Sequence, residues 1–406
     1  MSGVVIVGTG HAGAQTAIAL RQKKFAEPIT LLGDEVEAPY QRPPLSKEYL
    51  KGSLEDAALH LHPEQFWQEK QVDLIVGTRA VGIDRDARTV ALADGRTLSY
   101  EHLVLATGAA NRPLPSAGDL ERVLDLRTID DAKALRPHLR PGKDLVVVGG
   151  GFIGMEVAAA ASEHGANVVV VEAIDRIMAR VVSPQMSAFF EALHEAHGVR
   201  ILAARRVERL IGGRHVERLV LDDGHELAAD LVLVGIGVVP NVELAKSCGL
   251  DIADGIAVNE HLLTTDPHIS ALGDCAYYPC RVSRRSHRLE SIQNAADQAR
   301  CVAARLTGDA QPYFAVPWFW TEQYGHRLQI AGAAPAGADA VLRGDPDAGA
   351  FSVCRFANGR LAAVESLNQP AEHVAARKLL ASDVAGNITP AQIADAEIPL
   401  KSLLSL

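Results

Sequence analysis

Short runs of apolar, mostly β-branched residues alternate with glycine turns and alanine-rich stretches near the start of the chain. Residues 4–7 form such a run, which is long enough for one buried strand of a parallel sheet. A helical stretch follows to about Lys24, and residues 29–32 form the next apolar run. This order predicts a strand–helix–strand unit.

The same order of elements recurs further along the chain. Residues 145–148 are apolar, a helix is predicted to about His164, and residues 168–171 form the next strand. Each unit has the pattern G-x-G-x-x-G between its first strand and its helix, with glycines at Gly8, Gly10 and Gly13 and again at Gly149, Gly151 and Gly154. Glycines let the backbone approach a pyrophosphate, which the N-terminus of the helix then binds. Two such units predict two bound dinucleotides.

An acidic residue ends the second strand of each unit: Asp34 in the first and Glu172 in the second. An acid at this distance from the glycines accepts hydrogen bonds from ribose hydroxyls. The carboxylate of Glu172 would repel a 2′-phosphate, so the second unit favours NADH over NADPH. Two alternatives stay open: Arg176, four positions on, could bind such a phosphate, and Glu172 could be a solvated strand-end acid.

The duplication extends beyond the glycine motifs. Residues 89–92 and 98–100 flank an Asp-Gly turn and predict a hairpin, and residues 103–108 predict a buried strand ending in Ala106, Thr107 and Gly108. A similar series follows the second unit at residues 219–237. The fold class is therefore α/β, with two Rossmann-like dinucleotide-binding domains.

Composition narrows the class of protein. The chain has 406 residues, 48% of them hydrophobic and 22% charged, with a formal net charge of −10. A chain of this length should form two or three domains. An acidic chain is a poor partner for nucleic acid, and there is no apolar run of the ~18 residues needed to span a membrane. The N-terminus lacks a secretory pattern, so we expect a cytoplasmic protein.

Several segments resemble known flavoprotein motifs. Residues 106–108 resemble the hinge signature of the two-dinucleotide-binding flavoprotein reductases, and residues 264–274 resemble the second FAD motif of that superfamily. Residues 43–47, 290–295 and 317–320 resemble the ferredoxin reductases that serve bacterial cytochromes P450 and aromatic-ring dioxygenases. The resemblance covers essentially the whole chain.

The resemblance implies three domains. Residues 1–112 and 245–318 would form a discontinuous FAD domain, residues 113–244 an NAD domain, and residues 319–406 a small α/β C-terminal domain. It also implies which residues bind the cofactors. For FAD these are Gly8, Gly10, Ala12, Gly13, Asp34, Lys47, Ala80, Ala106, Thr107, Gly108, Arg127, Gly273, Asp274 and Ile292, and for NADH they are Gly149, Gly151, Gly154, Glu156 and Glu172.

Three of the residues singled out, Lys47, Glu156 and Trp320, would act at the reaction centre. Lys47 follows a stiff Pro-Pro, and a cation beside the flavin stabilises its reduced, anionic form. The plainer alternatives are a solvated lysine, a glutamate that only favours a helix N-terminus, and a tryptophan that only packs in a core.

The cysteines argue against thiol chemistry. Residues 1–247 contain no cysteine, whereas disulfide reductases of the superfamily carry a pair soon after the first ribose acid. Cys275 and Cys280 have that spacing but follow the second FAD motif, where two ordinary small residues are the simpler interpretation. Electrons should therefore leave the flavin for an outside acceptor.

The implied acceptor is a small [2Fe–2S] ferredoxin, which is usually acidic. Basic residues could steer it to the flavin: Arg281, Arg284, Arg285, Arg288, Arg300 and Lys401. A merely solvated basic loop is the alternative. The predicted function is hydride transfer from NADH to FAD, followed by single-electron transfer to the ferredoxin. Two other functions stay open: a non-thiol NADH oxidase or diaphorase, and an NADH-sensing flavoprotein.

Overall fold

The computed structural model describes residues 3–405. Its strands, in chain order, are β1 (Gly3–Val7), β2 (Ile29–Leu32), β3 (Val72–Ile75), β4 (Ala80–Asp84), β5 (Thr89–Leu92), β6 (Thr97–Leu105), β7 (Ala109–Asn111), β8 (Val123–Leu124), β9 (Asp144–Val148), β10 (Asn167–Val171), β11 (Arg200–Leu202), β12 (Val207–Gly212), β13 (Val216–Leu221), β14 (Glu226–Ala228), β15 (Leu231–Val234), β16 (Val238–Pro240), β17 (Ile252–Ala253), β18 (Gly255–Ala257), β19 (Ile269–Ala271), β20 (Ala276–Cys280), β21 (Arg285–His287), β22 (Trp318–Gln323), β23 (His326–Gly332), β24 (Asp339–Asp345), β25 (Ala350–Ala357) and β26 (Arg360–Leu367). The helices are α1 (His11–Gln22), α2 (Asp56–Leu59), α3 (Glu64–Glu69), α4 (Ile129–Leu135), α5 (Phe152–Glu163), α6 (Pro184–Ala196), α7 (Glu243–Ser247), α8 (Ile292–Leu306), α9 (Pro370–Ala381) and α10 (Pro390–Ala394). Within residues 3–405, no helix is long and apolar enough to cross a membrane.

The chain divides into two compact units. Unit 1 consists of residues 1–41, 56–110 and 239–319, and unit 2 consists of residues 42–55, 111–238 and 320–406. The division differs from the domain ranges predicted from the sequence in two ways: residues 42–55 group with unit 2, and residues 320–406 group with residues 111–238 and do not form a third unit. The three predicted domain ranges stay predictions.

Unit 1 is built on a parallel sheet with the order β3-β2-β1-β6-β19. Every residue of β1 is buried, as expected for a central strand covered on both faces. The predicted hairpin is present, since β5 pairs antiparallel with both β4 and β6. One detail was wrong: residues 98–100 and 103–105 do not form two strands but a single strand, β6, which serves both the hairpin and the parallel sheet.

Unit 2 repeats this plan. Its parallel sheet has the order β11-β10-β9-β15-β8, and a separate antiparallel sheet, β12-β13-β14, follows β11 in the chain. Here the two sheets are separate, because β14 ends at Ala228 and β15 begins at Leu231. The predicted duplication of whole domains is therefore present. The continuous strand β6 of unit 1 corresponds to two separate strands, β14 and β15, in unit 2.

The first helix of each copy ends slightly before its predicted end. Helix α1 ends at Gln22 because Lys24 adopts a left-handed conformation, with φ of 61°. Helix α5 ends at Glu163, and Gly165 with φ of 78° closes that turn. The alanines of α1 are buried, which lets the helix lie close to the sheet of unit 1. Helix α8 packs against α1.

The last part of unit 2 contains an antiparallel sheet with the order β22-β23-β26-β25-β24, against which α9 packs. A buried ion pair attaches this sheet to α6. The Arg355 guanidinium lies 2.9 Å from Glu365 Oε1, and the two side chains are 5% and 1% exposed. The backbone N–H of Ser183, which precedes α6, donates to both oxygens of Glu365, and its hydroxyl donates to Oε2 at 2.6 Å. Burial raises the pKa of Glu365.

We predict that Arg355→Met strongly destabilises the protein. Removing the arginine leaves a buried carboxylate with no countercharge, which typically costs about 3–5 kcal/mol. The midpoint of urea unfolding should fall accordingly. The matched control is Arg218→Met, because the Arg218–Glu226 pair is 43% and 53% exposed and should contribute little. Equal shifts of the two midpoints would contradict this interpretation of the buried pair.

Candidate active site and dinucleotide-binding loops

The first glycine loop brings β1, α1 and the end of β6 into close contact. Gly8 has φ of 117°, and a Cβ atom placed on it would lie 2.1 Å from the Ala106 carbonyl oxygen. A Cβ on Gly13 would lie 1.8 Å from the Gly8 carbonyl oxygen. Gly10 differs, because no atom lies within 4 Å of its Cβ position. Two glycines are therefore required by packing, and the third leaves open space above the helix.

The second glycine loop has the same geometry. A Cβ on Gly149 would lie 2.4 Å from the Gly235 carbonyl oxygen, and one on Gly154 would lie 2.2 Å from the Gly149 carbonyl oxygen. The space above Gly151 is again open. The structure thus gives both predicted loops the packing that their glycine spacing requires.

Both loops lead into helix N-termini without a capping side chain. Gly10 precedes α1 and Gly151 precedes α5, and neither residue can cap. By contrast, α4, α6 and α8 are capped by the hydroxyls of Thr128, Ser183 and Ser291. The N–H groups at the start of a helix favour a phosphate. The described residues therefore fit two dinucleotide pyrophosphates, which is the fit that FAD and a nicotinamide dinucleotide require.

The two ribose acids are held differently. Glu172 accepts hydrogen bonds from the backbone N–H of Gly150 at 2.7 Å and of Ile174 at 3.0 Å, so its carboxylate lies against the second loop. In the first copy Gly33 directly follows the strand, and a Cβ on it would lie 2.2 Å from the Thr9 hydroxyl. Asp34 comes one residue later, is about half exposed and pairs with Arg79 at 2.8 Å. The glycine loops of the two copies therefore have the same geometry, whereas the acidic residues that follow them make different contacts.

Arg176 is engaged within its own loop. Its guanidinium donates to the Ser187 hydroxyl at 2.6 Å and to the carbonyl oxygens of Val182 at 3.0 Å and Ala179 at 3.1 Å. A 2′-phosphate would have to compete with these bonds. The structure thus weakens the alternative in which Arg176 accommodates NADPH.

The hinge segment and the second FAD motif follow strands that lie side by side. β19 pairs in parallel with β6, so residues 106–108 and 272–274 leave the same edge of the sheet. Gly273 has φ of 76°, and its Cβ position lies 2.8 Å from Ala12 Cβ. The structure therefore brings together the first loop, the hinge and the Gly273–Asp274 turn. Ile292 begins α8, and Ala80 begins β4, directly after the Arg79 that binds Asp34.

Two residues that sequence reasoning missed hold these segments in place. The Asn241 side chain donates to the Thr107 carbonyl oxygen at 2.8 Å, and the Thr107 hydroxyl donates to the Asn241 carbonyl oxygen at 2.7 Å. The fully buried Gln298 accepts the Gly273 N–H at 2.7 Å. Asn241 follows the second small-residue stretch and Pro240, which is a typical turn signal; nothing in the local sequence marks Gln298.

In unit 2, Lys47 and Glu156 form a largely buried ion pair. Lys47 Nζ lies 2.6 Å from Glu156 Oε2, and the side chains are 15% and 2% exposed. The Ser46 hydroxyl donates to the same oxygen at 2.5 Å, and the Thr321 hydroxyl donates to Oε1 at 2.6 Å. Lys47 is therefore not a solvated surface lysine, and Glu156 does more than favour a helix terminus. Thr321 directly follows Trp320 on β22 and was not predicted.

Arg127 lies elsewhere in unit 2, just before α4. Its N–H donates to Asp131 at 2.9 Å, and its carbonyl oxygen accepts from Arg42 at 2.6 Å. Arg42 belongs to the same segment, residues 42–55, as Lys47. The main chain of Arg127 is thus tied to this segment.

The predicted basic run is only partly exposed. Arg281 and Arg284 lie on the turn between β20 and β21, with Arg281 over the half-exposed ring of Phe314, and Arg285 begins β21. The Arg288 side chain is only 10% exposed and binds Glu290 and the Asp274 carbonyl oxygen, which makes it less available to a partner than the other arginines of the run. The guanidinium of Arg300 binds Asp297, and Lys401 is exposed near the C-terminus.

The five cysteines are free. Cys275 and Cys280 lie at opposite ends of the segment that forms β20 and belong to different hydrophobic clusters. Burial raises the pKa of Cys275, whose sulfur lies near the Leu105 carbonyl oxygen. This is the environment of an ordinary core cysteine.

Two protein-family models match the chain. The model described as pyridine nucleotide-disulphide oxidoreductase matches residues 2–299, and the model described as reductase C-terminal matches residues 318–404. Rhodocoxin reductase of Rhodococcus erythropolis is 48% identical over 98% of this chain and 93% of its own length. Putidaredoxin reductase CamA of Pseudomonas putida is 39% identical over 99% of this chain and 96% of its own length.

Solved structures agree with these matches. The ferredoxin reductase for the CYP199A2 system from Rhodopseudomonas palustris has a TM-score of 0.95 and 48% identity, with 99% of each chain covered. A chain of the covalent putidaredoxin reductase–putidaredoxin complex has a TM-score of 0.96 and 38% identity, covering 100% of this chain and 98% of that one.

The open glycines allow the two nucleotide sites to be tested separately. Gly10 and Gly151 have φ of −68° and −77°, which alanine adopts without strain. We predict that Gly10→Ala weakens FAD binding by about 10-fold or more, because the methyl group occupies the space for a phosphate. Gly151→Ala should retain FAD and raise the KM for NADH by a similar factor.

The measurements are FAD content, FAD dissociation constant and KM, with the thermal midpoint of the apoprotein as the control. That midpoint should stay within a few degrees of the wild type in both variants. An apoprotein that fails to fold, or FAD loss in both variants alike, would contradict the assignment of one nucleotide to each loop.

Proposed function

Since the chain belongs to the pyridine nucleotide-disulphide oxidoreductase family and carries a reductase C-terminal domain, we propose that it is an NADH-dependent reductase of a [2Fe–2S] ferredoxin. The resemblance to ferredoxin reductases that the sequence predicts is confirmed by matches along the whole chain to rhodocoxin reductase and putidaredoxin reductase. The protein is an oxidoreductase that uses FAD and a nicotinamide dinucleotide. The ferredoxin that it reduces would supply a cytochrome P450 or a ring-hydroxylating oxygenase.

The observation that carries the proposal is the pair of open helix N-termini at Gly10 and Gly151 in a chain with no cysteine before Cys248. Bound FAD supplies the chemistry of accepting a hydride from NADH and releasing its two electrons one at a time. Without a thiol relay the electrons pass directly to an outside acceptor. We expect a cytoplasmic location.

The protein's own contribution is binding and electrostatics. The two glycine loops bind the pyrophosphates, Glu172 binds the ribose of NADH, and the Gly273–Asp274 turn serves FAD. Lys47 supplies a positive charge for the reduced cofactor, and Glu156 fixes that charge through its 2.6 Å contact. We assign Trp320 to the flavin on the resemblance of residues 317–320 to the ferredoxin reductases; Thr321, the next residue of β22, faces the other side of the strand and contacts Glu156. No general base is needed, because hydride transfer releases no proton from a protein side chain.

Preference for NADH rests on Glu172. We predict that Glu172→Gln lowers the ratio of kcat/KM for NADH to kcat/KM for NADPH by about 10-fold, because the variant no longer repels a 2′-phosphate. The control is Arg176→Met, which should leave the ratio unchanged because its guanidinium binds its own loop. A larger change of the ratio in the Arg176 variant would place NADPH discrimination there instead.

The exposed arginines of the β20–β21 turn are the proposed docking site for the ferredoxin, with Lys401 as a further candidate. Reversing Arg281, Arg284 and Arg285 to glutamate should raise the ferredoxin KM by about 10-fold at low salt and leave ferricyanide reduction unchanged. The control reverses the exposed residues Arg206 and Arg209, which lie just before β12 and within β12 in the other unit. An unchanged ferredoxin KM in the triple variant would remove this turn from the docking surface.

The function itself is tested by NADH-dependent reduction of cytochrome c by the FAD-loaded protein. A panel of bacterial [2Fe–2S] ferredoxins is added one at a time. The proposal expects a large rise with at least one ferredoxin and a poor response to NADPH. No rise with any ferredoxin, together with rapid reduction of oxygen or a quinone, would support the oxidase or diaphorase function instead. Slow reduction by NADH, with a long-lived charge-transfer complex, would support a sensor.

A further inference from the structure

A buried chain of hydrogen bonds continues from Glu156 away from Lys47. The Thr321 hydroxyl contacts Glu156 Oε1 at 2.6 Å, Gln323 Nε2 contacts that hydroxyl at 3.1 Å, and His194 Nε2 contacts Gln323 Oε1 at 2.7 Å. All four side chains are at most 4% exposed. They come from α5, β22 and α6, and Thr321 and Gln323 lie on one face of β22 because they are two residues apart.

The ionised carboxylate sets the direction of every bond in this chain. A carboxylate only accepts, so the single hydroxyl hydrogen of Thr321 goes to Glu156. The Thr321 oxygen then accepts from the amide nitrogen of Gln323, whose oxygen in turn accepts from His194. His194 therefore carries its proton on Nε2, and its Nδ1 is a buried atom without a hydrogen-bond partner among the described residues.

Reversing the chain would be costly. If Glu156 were protonated on Oε1, the Thr321 hydroxyl and the Gln323 amide would both have to turn, and His194 would have to carry its proton on Nδ1. That N–H would be buried without an acceptor, which costs about 1–3 kcal/mol. The unpartnered nitrogen at the far end of the chain thus favours the charged form of Glu156.

The titratable groups around the chain are consistent with this direction. Lys47 is the cation that faces Glu156. Tyr324 and His197 lie beside His194, with the Tyr324 ring 4.9 Å from the His194 ring and stacked on His197. Burial lowers the pKa of His194 to about 4 and raises that of Tyr324 to about 12, so both are neutral near neutral pH. The pair Lys51–Glu163 lies two turns further along α5 and is more exposed.

We propose that Thr321, Gln323 and His194 are positioning residues that keep Glu156 ionised and fixed, so that Lys47 holds its charge in one place during the reaction. The proposal rests on the proposed function for the roles of Lys47 and Glu156. The competing explanation is that the chain only attaches β22 and α6 to α5. A purely structural attachment would affect stability but would not make the reaction depend on pH.

The test compares Thr321→Val, which keeps the shape and removes the hydroxyl, with Thr321→Ser, which keeps the hydroxyl. The FAD-loaded variants are mixed with NADH without oxygen, and the rate of flavin bleaching is followed from about pH 6 to about pH 9. We expect the wild type and the serine variant to be nearly independent of pH. The valine variant should be about 10-fold slower at the acid end and should recover as the pH rises, because it stabilises the carboxylate less.

A second measurement does not use turnover. In infrared difference spectra between the two ends of the pH range, Thr321→Val should show the band of a protonated carboxyl group at low pH. The band should disappear when Glu156→Gln is added to the valine variant. The wild type and the serine variant should lack it.

The far end of the chain is tested with His194→Leu, which removes the donor to Gln323. The same acid-side slowing is expected, smaller than in the valine variant, at about 3-fold. The control is His197→Gln, which lies outside the chain and should behave as the wild type. Valine and serine variants with equal, pH-independent rates and no carboxyl band would overturn the proposal. A wild type that NADH does not reduce would instead overturn the proposed function, so the two failures can be told apart.

Discussion

The buried carboxylate of Glu156 is the constraint on which much of unit 2 depends. A charge that is 2% exposed is tolerated only if it is paired and hydrogen-bonded. Its partners come from two other parts of the chain: Lys47 and Ser46 from the segment 42–55, and Thr321 from β22. The interaction is one of several that join that segment to unit 2, together with the contacts of Arg42 with Arg127 and of Lys51 with Glu163. One buried charge thus orders three distant parts of the sequence.

The two nucleotide-binding units show how a duplicated fold keeps its packing and changes its chemistry. In both, two glycines are required because a Cβ would collide with a carbonyl oxygen, and one glycine leaves space at the helix N-terminus. The residue after the second strand differs, with Glu172 bound to its loop in one unit and Gly33 against Thr9 in the other. Steric constraints are thus shared, whereas the polar contacts differ between the two units.

The sequence predicted what depends on local pattern. The repeated strands, the glycine loops and the hairpin follow from residues that are close in the chain, and each is present. The contacts of Lys47 with Glu156 and of Glu156 with Thr321 could not be predicted, because no spacing signals a pair so far apart in sequence. For the same reason the burial of Arg288 and the role of Gln298 were missed: both depend on tertiary contacts of the Gly273–Asp274 turn. The continuity of β6 was missed because Glu101 and His102 interrupt its apolar pattern, and His102 is buried by tertiary contacts.

The claim that Lys47 and Glu156 act as one unit is tested most directly by a double-mutant cycle on the rate of flavin reduction by NADH. The variants are Lys47→Met, Glu156→Gln and the two combined, each measured with FAD bound and at saturating NADH. If the pair acts as a unit, the double variant is no slower than the slower single variant, because the second change removes a group that has already lost its partner. Losses that multiply, as for two independent residues, would contradict this account.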